Sequence, residues 1–275
     1  QDVLDFKGWY MYPQFSRHGL GRVGMLGCLL GVSLGSSMTM FLMITLHKLR
    51  FVDLVVLADA IGEDRIQMLW QWCMYFSVLS FFHLMEFFTT ALFNAEVVSA
   101  DSYLVNHSTT YTFAALFSWT EFATRFIFAP NWNNASISIV GFGVVVVSQV
   151  IRSLAMITCG ASFNHMIQRE KKENHVLITH GVYRYLRHPS YFGFYYWSIG
   201  VQLILNNTVA GCLSAIASSI FFRRRIPYEE QSLVCHFEEE YVEFAKRAYI
   251  GIPFVPTRTV LPEENNNNDD DAKQD

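Results

Sequence analysis

The sequence predicts an all-α, polytopic membrane protein with about six transmembrane helices. Of its 275 residues, 52% are hydrophobic and 16% are charged, whereas a soluble domain carries about 25% charged residues. The mean hydropathy is +0.22. Charge is also unevenly distributed, because residues 66–151 contain a single basic residue, Arg125. A stretch of this length with so little charge is too apolar for a solvated surface, which indicates burial in a bilayer.

The first two spans follow from apolar runs of at least the roughly 20 residues that a bilayer core requires. Residues 22–48 carry no charge between their ends, and residues 66–94 carry only Glu86. A break near Gly35 would instead divide the first run into two helices, each too short to cross alone. Residues 51–60 are apolar but contain two aspartates, which is typical of an interfacial or re-entrant segment.

Four further spans are predicted in the rest of the chain. In residues 111–129, Glu121 and Arg125 lie four apart on one helix face, where each can neutralise the other. Residues 136–163 carry only one charged residue, Arg152. The last two spans, 190–205 and 208–222, are shorter, and the intervening Asn206-Asn207 predicts a tight helical hairpin.

The residues after the last span change character. A cytosolic amphipathic helix, docked on the protein or on lipid, is predicted over residues 229–246. Four apolar residues there follow helical spacing: Leu233, Phe237, Tyr241 and Phe244. The final fourteen residues hold six acids and one lysine. Without them the net charge of −4 becomes about +1, so no basic surface for nucleic acid is expected.

Basic residues predict the orientation, since they collect on the cytosolic side of membrane proteins. Two basic clusters, within residues 169–187 and 223–247, are therefore expected in the cytosol. The loop at 131–134 and the turn at 206–207 then face the opposite side, and glycosylation sequons beginning at Asn134 and Asn206 agree with that placement. The chain begins with Gln1, not Met, so a further N-terminal segment is expected.

Chemistry is expected where polar residues gather at the edge of the apolar body, in residues 165–191 and 223–240. The first segment holds four histidines: His165, His175, His180 and His188. Their spacings of ten, five and eight follow no ligand period and no cysteine accompanies them, so we predict polar loop histidines and no metal site.

A turn followed by a helix start is predicted around residues 180–193. Gly181 permits a left-handed turn, and Pro189 suits the first turn of a helix whose free N–H groups can bind a negatively charged group. An ordinary basic interfacial loop remains the alternative. Arginines at 223–225 are expected at a span end from charge bias alone, but the Glu229-Glu230 pair that follows fits a doubly charged or zwitterionic cosubstrate.

These motifs resemble the isoprenylcysteine carboxyl methyltransferases. The resemblance covers residues 163–254 closely and 106–108 and 118–122 more loosely. It rests on the following segments: 164–165, 175–183, 187–191, 196–200, Arg225, 229–230 and 251–254. Members of that family usually have eight spans, with a further apolar N-terminal hairpin, where this chain has room for about six.

The resemblance implies an endoplasmic reticulum enzyme, with its active site facing the cytosol, that transfers a methyl group from S-adenosyl-L-methionine to the C-terminal carboxylate of a prenylated cysteine. Its substrates would be processed CaaX proteins such as small GTPases, presented from membrane lipid. On this basis the chain divides into a membrane-embedded helical region (1–163), a cosubstrate-binding and catalytic region with the hairpin at 190–222 (164–254), and an acidic disordered tail (255–275).

The family's site residues map onto matching positions here. Arg225 matches the arginine associated with substrate binding and catalysis, and Glu229 is expected to neutralise the cosubstrate's positive charge beside it. The resemblance assigns the cosubstrate to eleven positions: Gln168, His175, Val176, Leu177, Ile178, Tyr183, His188, Pro189, Ser190, Tyr191 and Glu229. No role follows for Glu230.

The chemistry requires placement more than proton transfer. An α-carboxylate has a pKa of about 3.5, so it is ionised at neutral pH and needs no general base. Alignment with the sulfonium methyl and exclusion of water are expected to supply several kcal/mol. The substrate's lipid is expected to enter sideways from the bilayer, beside the aromatic run at residues 191–197.

Three other functions remain open at this point. A phospholipid N-methyltransferase shares a similar His-Pro and Glu-Glu arrangement, but its amine nucleophile would require a base. An NADPH-dependent sterol reductase has a related C-terminal segment, but would need a nicotinamide site and usually a longer chain. A non-enzymatic membrane scaffold would use the polar loops only to bind partners.

Overall fold

The computed structural model describes residues 19–105, 108–163 and 176–256, and these residues form helices and turns without a β-strand. An isolated parallel bridge joins Leu186 to Tyr249. The predicted all-α fold is therefore confirmed for this part of the chain. The helices are α1 (Leu20–Lys48), α2 (Val55–Ile61), α3 (Glu63–Phe93), α4 (Thr109–Phe128), α5 (Ala135–Cys159), α6 (Pro189–Leu205) and α7 (Thr208–Arg247).

Three segments within the described ranges are long and apolar enough to cross a membrane by length and composition. They are α1, α3 and α5 with the 3₁₀ turn that follows it. Helix α1 is continuous, so the alternative break near Gly35 does not occur. The hydroxyls of Ser36 and Ser37 donate to carbonyls of the preceding turn, which satisfies them inside the helix.

Helices α5 and α6 pack closely because glycines lie at their contact. A Cβ at Gly141 would lie 2.6 Å from the backbone nitrogen of Ile204, and one at Gly193 would lie 2.8 Å from Cβ of Arg152. Only glycine permits this approach. Trp197 and Val201 of α6 then join the main apolar core with residues of α3.

The predicted hairpin between α6 and α7 is confirmed, and it has unexpected partners. Asn206 adopts the left-handed conformation at the end of α6, with φ 56°. Arg125 donates to the last carbonyls of α6, those of Leu205 (3.0 Å) and Asn206. Glu121 accepts from the first N–H groups of α7, at Val209 (3.1 Å) and Ala210 (2.6 Å).

Glu121 and Arg125 therefore direct their hydrogen bonds to the hairpin, while the two opposite charges also interact electrostatically, as predicted. The physical reason lies in the helix ends. Each end leaves backbone groups unsatisfied, with partial positive charge at the start of α7 and partial negative charge at the end of α6. The carboxylate and the guanidinium satisfy these groups directly.

Helix α7 corrects one prediction, because the helix that begins at Thr208 continues without a break past residue 222 and through the predicted start of a separate helix at 229. Pro227 lies inside it, where the ring removes a single N–H from the hydrogen-bond ladder. The interruption comes later, at Glu238, with φ 48° and ψ −126°. Beyond it, Tyr241 and Phe244 are buried against the protein in a cluster that includes Leu177 and Tyr183.

The last described segment returns to the start of α6. Tyr249 accepts from the backbone N–H of Arg187 and donates its own to the carbonyl of Tyr185, each at 2.9 Å. Ile252 and Val255 are buried in the cluster formed with residues of α6 and α7. Most of the predicted acidic tail, residues 257–275, lies outside the described residues.

Candidate active site

A cavity lies between the loop at 176–183, the start of α6 and the outer part of α7. It encloses about 900 Å³ including its open mouth. Every described residue assigned to the cosubstrate by sequence lines it: Val176, Leu177, Ile178, Tyr183, His188, Pro189, Ser190, Tyr191 and Glu229. Gln168 and His175, the other two, lie outside the described residues.

Local backbone features bring this wall together as the sequence predicts. Gly181 has φ +60°, and a Cβ there would lie 3.1 Å from the side chain of Thr158. Pro189 occupies the first turn of α6, where its missing N–H costs nothing. The hydroxyl of Tyr183 donates to the carbonyl of Ala155 at 3.3 Å, which fixes the loop to α5.

Arg225 does not line the cavity but is linked to it through one side chain. Its Nε donates to the hydroxyl of Tyr191 at 2.8 Å, and that hydroxyl donates to Oε2 of Glu229 at 2.5 Å. The guanidinium also lies over the rings of Tyr191 (5.3 Å) and Phe221 (5.8 Å). The guanidinium of Arg225 and the carboxylate of Glu229 are thus both hydrogen-bonded to the hydroxyl of one tyrosine.

His188 completes the charged end of the cavity. Its ring stacks on Tyr191 with centroids 5.5 Å apart and planes inclined by 7°. Nδ1 lies 3.9 Å from Oε1 of Glu229, and Nε2 lies 3.3 Å from Oε1 of Glu230. The imidazole therefore lies between two carboxylates, within hydrogen-bond distance of Glu230 and within ion-pair distance of Glu229.

Glu230 was given no role by the sequence, yet it joins three parts of the wall. It is 5% exposed and its Oε1 accepts from Arg187 (2.8 Å) and Tyr241 (3.3 Å), besides His188. Burial raises the pKa of the Tyr241 phenol, and the Glu230 carboxylate raises it further, so that hydroxyl keeps the proton it donates. Glu230 thereby binds the outer end of α7 to the loop before α6.

The sequence did not assign six other residues of α7 to the cavity that they line: Ser232, Leu233, His236, Phe237, Tyr241 and Phe244. The first four lie three, four, seven and eight positions after Glu229, which places them on the same helix face. The apolar members of this set were predicted only as the docking face of an amphipathic helix. Among the described residues, no group of three or more histidines, cysteines or acids is arranged to hold a metal ion; His165 and His175 lie outside them.

Comparison with known proteins identifies relatives with the same motifs. The model of the isoprenylcysteine carboxyl methyltransferase (ICMT) family matches residues 139–235. The chain is 46% identical to protein-S-isoprenylcysteine O-methyltransferase of Homo sapiens over 182 residues, which are 66% of this chain and 64% of that protein. The Saccharomyces cerevisiae protein of the same name is 32% identical over 251 residues, 89% of this chain and 95% of that protein.

A solved structure extends the likeness to the fold. It is described as the eukaryotic intramembrane Ras methyltransferase ICMT; the match has a TM-score of 0.69 and 32% identity, and it covers 84% of this chain and 98% of that one. The aligned region spans less than two thirds of the human relative but nearly all of the yeast relative. From this coverage and the shared fold, the chain belongs to the isoprenylcysteine carboxyl methyltransferase family.

Proposed function

We propose that this protein transfers a methyl group from S-adenosyl-L-methionine to the C-terminal α-carboxylate of a prenylated cysteine, forming a methyl ester. The observation that carries the proposal is the chain of hydrogen bonds from Arg225 through Tyr191 to Glu229. It holds a carboxylate-binding group and a cation-binding group close together, next to the cavity lined by the residues that the family motif assigns to the cosubstrate.

The cavity suits the cosubstrate in shape and charge. Val176, Leu177 and Ile178 supply an apolar wall, and Glu229 supplies negative charge at the end near α6. A sulfonium and an ammonium group would both be stabilised by that carboxylate. Gln168 and His175 belong to the same proposed set, as predictions from the family motif. The cosubstrate itself supplies the electrophilic methyl group.

Arg225 is proposed to bind and orient the substrate carboxylate. Its planar guanidinium can hold one carboxylate oxygen while the other points to the methyl group. Tyr191 fixes the direction of that guanidinium by accepting from Nε, so the reacting oxygen is placed without a mobile arginine. Too tight a grip on both oxygens would weaken the nucleophile, so positioning is its first role and stabilisation of the transition state its second.

We further propose six membrane spans, with α2 at the interface and the cavity facing the cytosol. The helix ends alternate as this requires. Arg65 at the start of α3 donates to the carbonyl of Phe126 near the end of α4, and Asn206 at the hairpin accepts from the backbone of Asn134. Both predicted sequons lie at that end, and the cavity lies at the other. The endoplasmic reticulum is the proposed location.

The substrate's lipid is proposed to reach Arg225 from the bilayer, while the cosubstrate enters from the cytosol. About 0.8 kcal/mol per buried CH₂ keeps a fifteen-carbon farnesyl chain in the membrane. Of the aromatic run on α6, Tyr195 and Trp197 are buried within the protein, so the lining of a lateral opening falls to other members such as Tyr191 and Phe194. Prenylated small GTPases are the proposed partners.

The test is methyl transfer by purified protein in lipid nanodiscs, with methyl-labelled S-adenosylmethionine. S-farnesylcysteine is expected to accept label that base releases as methanol, the mark of an ester. Cysteine peptides without the prenyl group are expected to accept none. Base-stable label in phosphatidylethanolamine would point to an N-methyltransferase and overturn the proposal.

Three arginine variants sharpen the assignment of the carboxylate site. Arg225→Ala is expected to lower methylation by orders of magnitude with cosubstrate binding nearly intact, and Arg225→Lys is expected to restore little because a point charge lacks the fork. Arg224→Ala is the matched control, since that neighbour is exposed. If Arg224→Ala lowers methylation strongly and Arg225→Ala has only a mild effect, the carboxylate has been assigned to the wrong arginine.

A further inference from the structure

A buried ion pair lies beneath the cavity, on helices that the proposed chemistry does not use. Glu86 of α3 is 1% exposed and Arg152 of α5 is 4% exposed. Nη2 of Arg152 donates to Oε2 of Glu86 at 2.8 Å, and Nε donates to Oε1. Two charges buried among apolar helices are expensive to desolvate, and such residues commonly serve a function.

The guanidinium of Arg152 has a third contact, which connects this pair to the cavity wall. Nη1 donates both to the carbonyl of Ser190 (3.0 Å) and to its hydroxyl (2.9 Å). Ser190 belongs to the first turn of α6 and lines the cavity. The rings of Phe82 and Phe194 lie 5.4 Å and 5.5 Å from the guanidinium carbon, so its plane is also held by its neighbours.

We propose that Arg152, oriented by Glu86, is a positioning residue for the cosubstrate: it fixes the first turn of α6 so that Ser190 and Tyr191 face the cavity at the required height. This inference rests on the proposed function. The turn also carries Tyr191, whose hydroxyl donates to Glu229 of α7, so a shift of the turn would change both the cavity wall at Ser190 and the orientation of that carboxylate. A misplacement of about 1 Å can cost a hundredfold in rate.

Only arginine satisfies all the contacts of this position. One edge of the guanidinium, formed by Nε and Nη2, donates to both carboxylate oxygens of Glu86, and the remaining nitrogen, Nη1, donates to the two oxygens of Ser190. A lysine has one donor centre and cannot span both groups. Gly193 allows α6 to approach Cβ of Arg152, which brings the serine within reach.

The test removes the tether without leaving a buried charge. The double variant Glu86→Leu/Arg152→Met replaces both ions by apolar groups of similar size, an exchange that proteins often tolerate. Dissociation constants for S-adenosylmethionine are measured directly on folded protein in nanodiscs, with KM and kcat for S-farnesylcysteine. We expect the cosubstrate dissociation constant to rise at least tenfold, with a smaller change in KM for S-farnesylcysteine.

A matched control separates positioning from general loss of stability. Arg125→Met removes an arginine that binds carbonyls at the opposite end of the same helix, α6. It is expected to lower thermal stability and leave the cosubstrate dissociation constant within twofold of the wild type. An equal loss of cosubstrate affinity in this control would show that any loosening of α6 suffices, and would overturn the specific role of Arg152.

The outcomes for inference and proposed function are distinguishable. If the wild type binds S-adenosylmethionine and the folded double variant binds it with the same affinity, the inference is overturned and the proposed function is not. Absence of binding by the wild type overturns the proposed function, and the inference with it. Should the double variant fail to fold, Arg152→Lys carries the test, because it keeps a charge for Glu86 but loses the reach to Ser190; wild-type affinity in that variant overturns the inference.

Discussion

Glu238 holds a backbone conformation that only glycine adopts without strain, with φ 48° and ψ −126°. The left-handed region open to other residues has positive ψ, so this pair of angles lies outside it. Such strain costs about 1–3 kcal/mol. Glycine removes it, but loses about 0.5–1 kcal/mol through its greater freedom in the unfolded chain. Glu238→Gly is therefore expected to stabilise the protein by about 0.5–2 kcal/mol.

Thermal unfolding in one detergent and at one scan rate measures this effect. For a chain of this size the gain corresponds to a rise in Tm of about 1–8 °C. Glu238→Ala keeps the strained backbone and should stay near the wild type. Glu239→Gly, at the exposed helical neighbour, should lower stability by about 1 kcal/mol. If the Tm of Glu238→Gly is no higher than that of Glu238→Ala, the reasoning from backbone strain is wrong.

Three further substitutions follow from individual contacts. Glu230→Ala removes the acceptor shared by three buried donors and should lower the free energy of unfolding by about 3 kcal/mol in denaturation experiments, with Glu230→Gln milder. Gly141→Ala forces a methyl group against the backbone of α6 and should destabilise by about 1–3 kcal/mol, whereas Gly143→Ala, with open space around it, should be neutral or stabilising. Glu229→Gln should weaken S-adenosylmethionine binding, measured by calorimetry, by about 1.5–3 kcal/mol; unchanged affinity in folded protein would remove that residue from the site.

Local signals in the sequence predicted most helix boundaries near the cavity. Gly181 and Pro189 act through their own backbone restrictions, which hold wherever they occur, so the turn and the start of α6 were both visible. The boundary predicted after residue 222 came from the change in composition there, but the helix continues past it and through Pro227, and the break at Glu238 has no local signal at all.

The candidate site was predictable where a motif is contiguous, as in the loop and the first turn of α6. Its supports were not, because they join residues far apart in the chain. Glu86 and Arg152 are separated by 66 positions, and Arg187 and Glu230 by 43. A single sequence shows each of these charges in isolation and does not indicate which distant charge it contacts.

Helix α7 is continuous from Thr208 past Glu229, so its length can be compared directly with the thickness of a bilayer. At about 1.5 Å per residue, the helix from Thr208 reaches Arg225 after about 26 Å and Glu229 after about 32 Å. A hydrocarbon core of about 30 Å therefore ends between these two residues when the hairpin lies near the opposite surface. In a thicker bilayer the helix must tilt less or draw Glu229 toward the hydrocarbon. The thickness of the host membrane thus sets the distance between the proposed methyl-donor site and the level at which the lipid chains end.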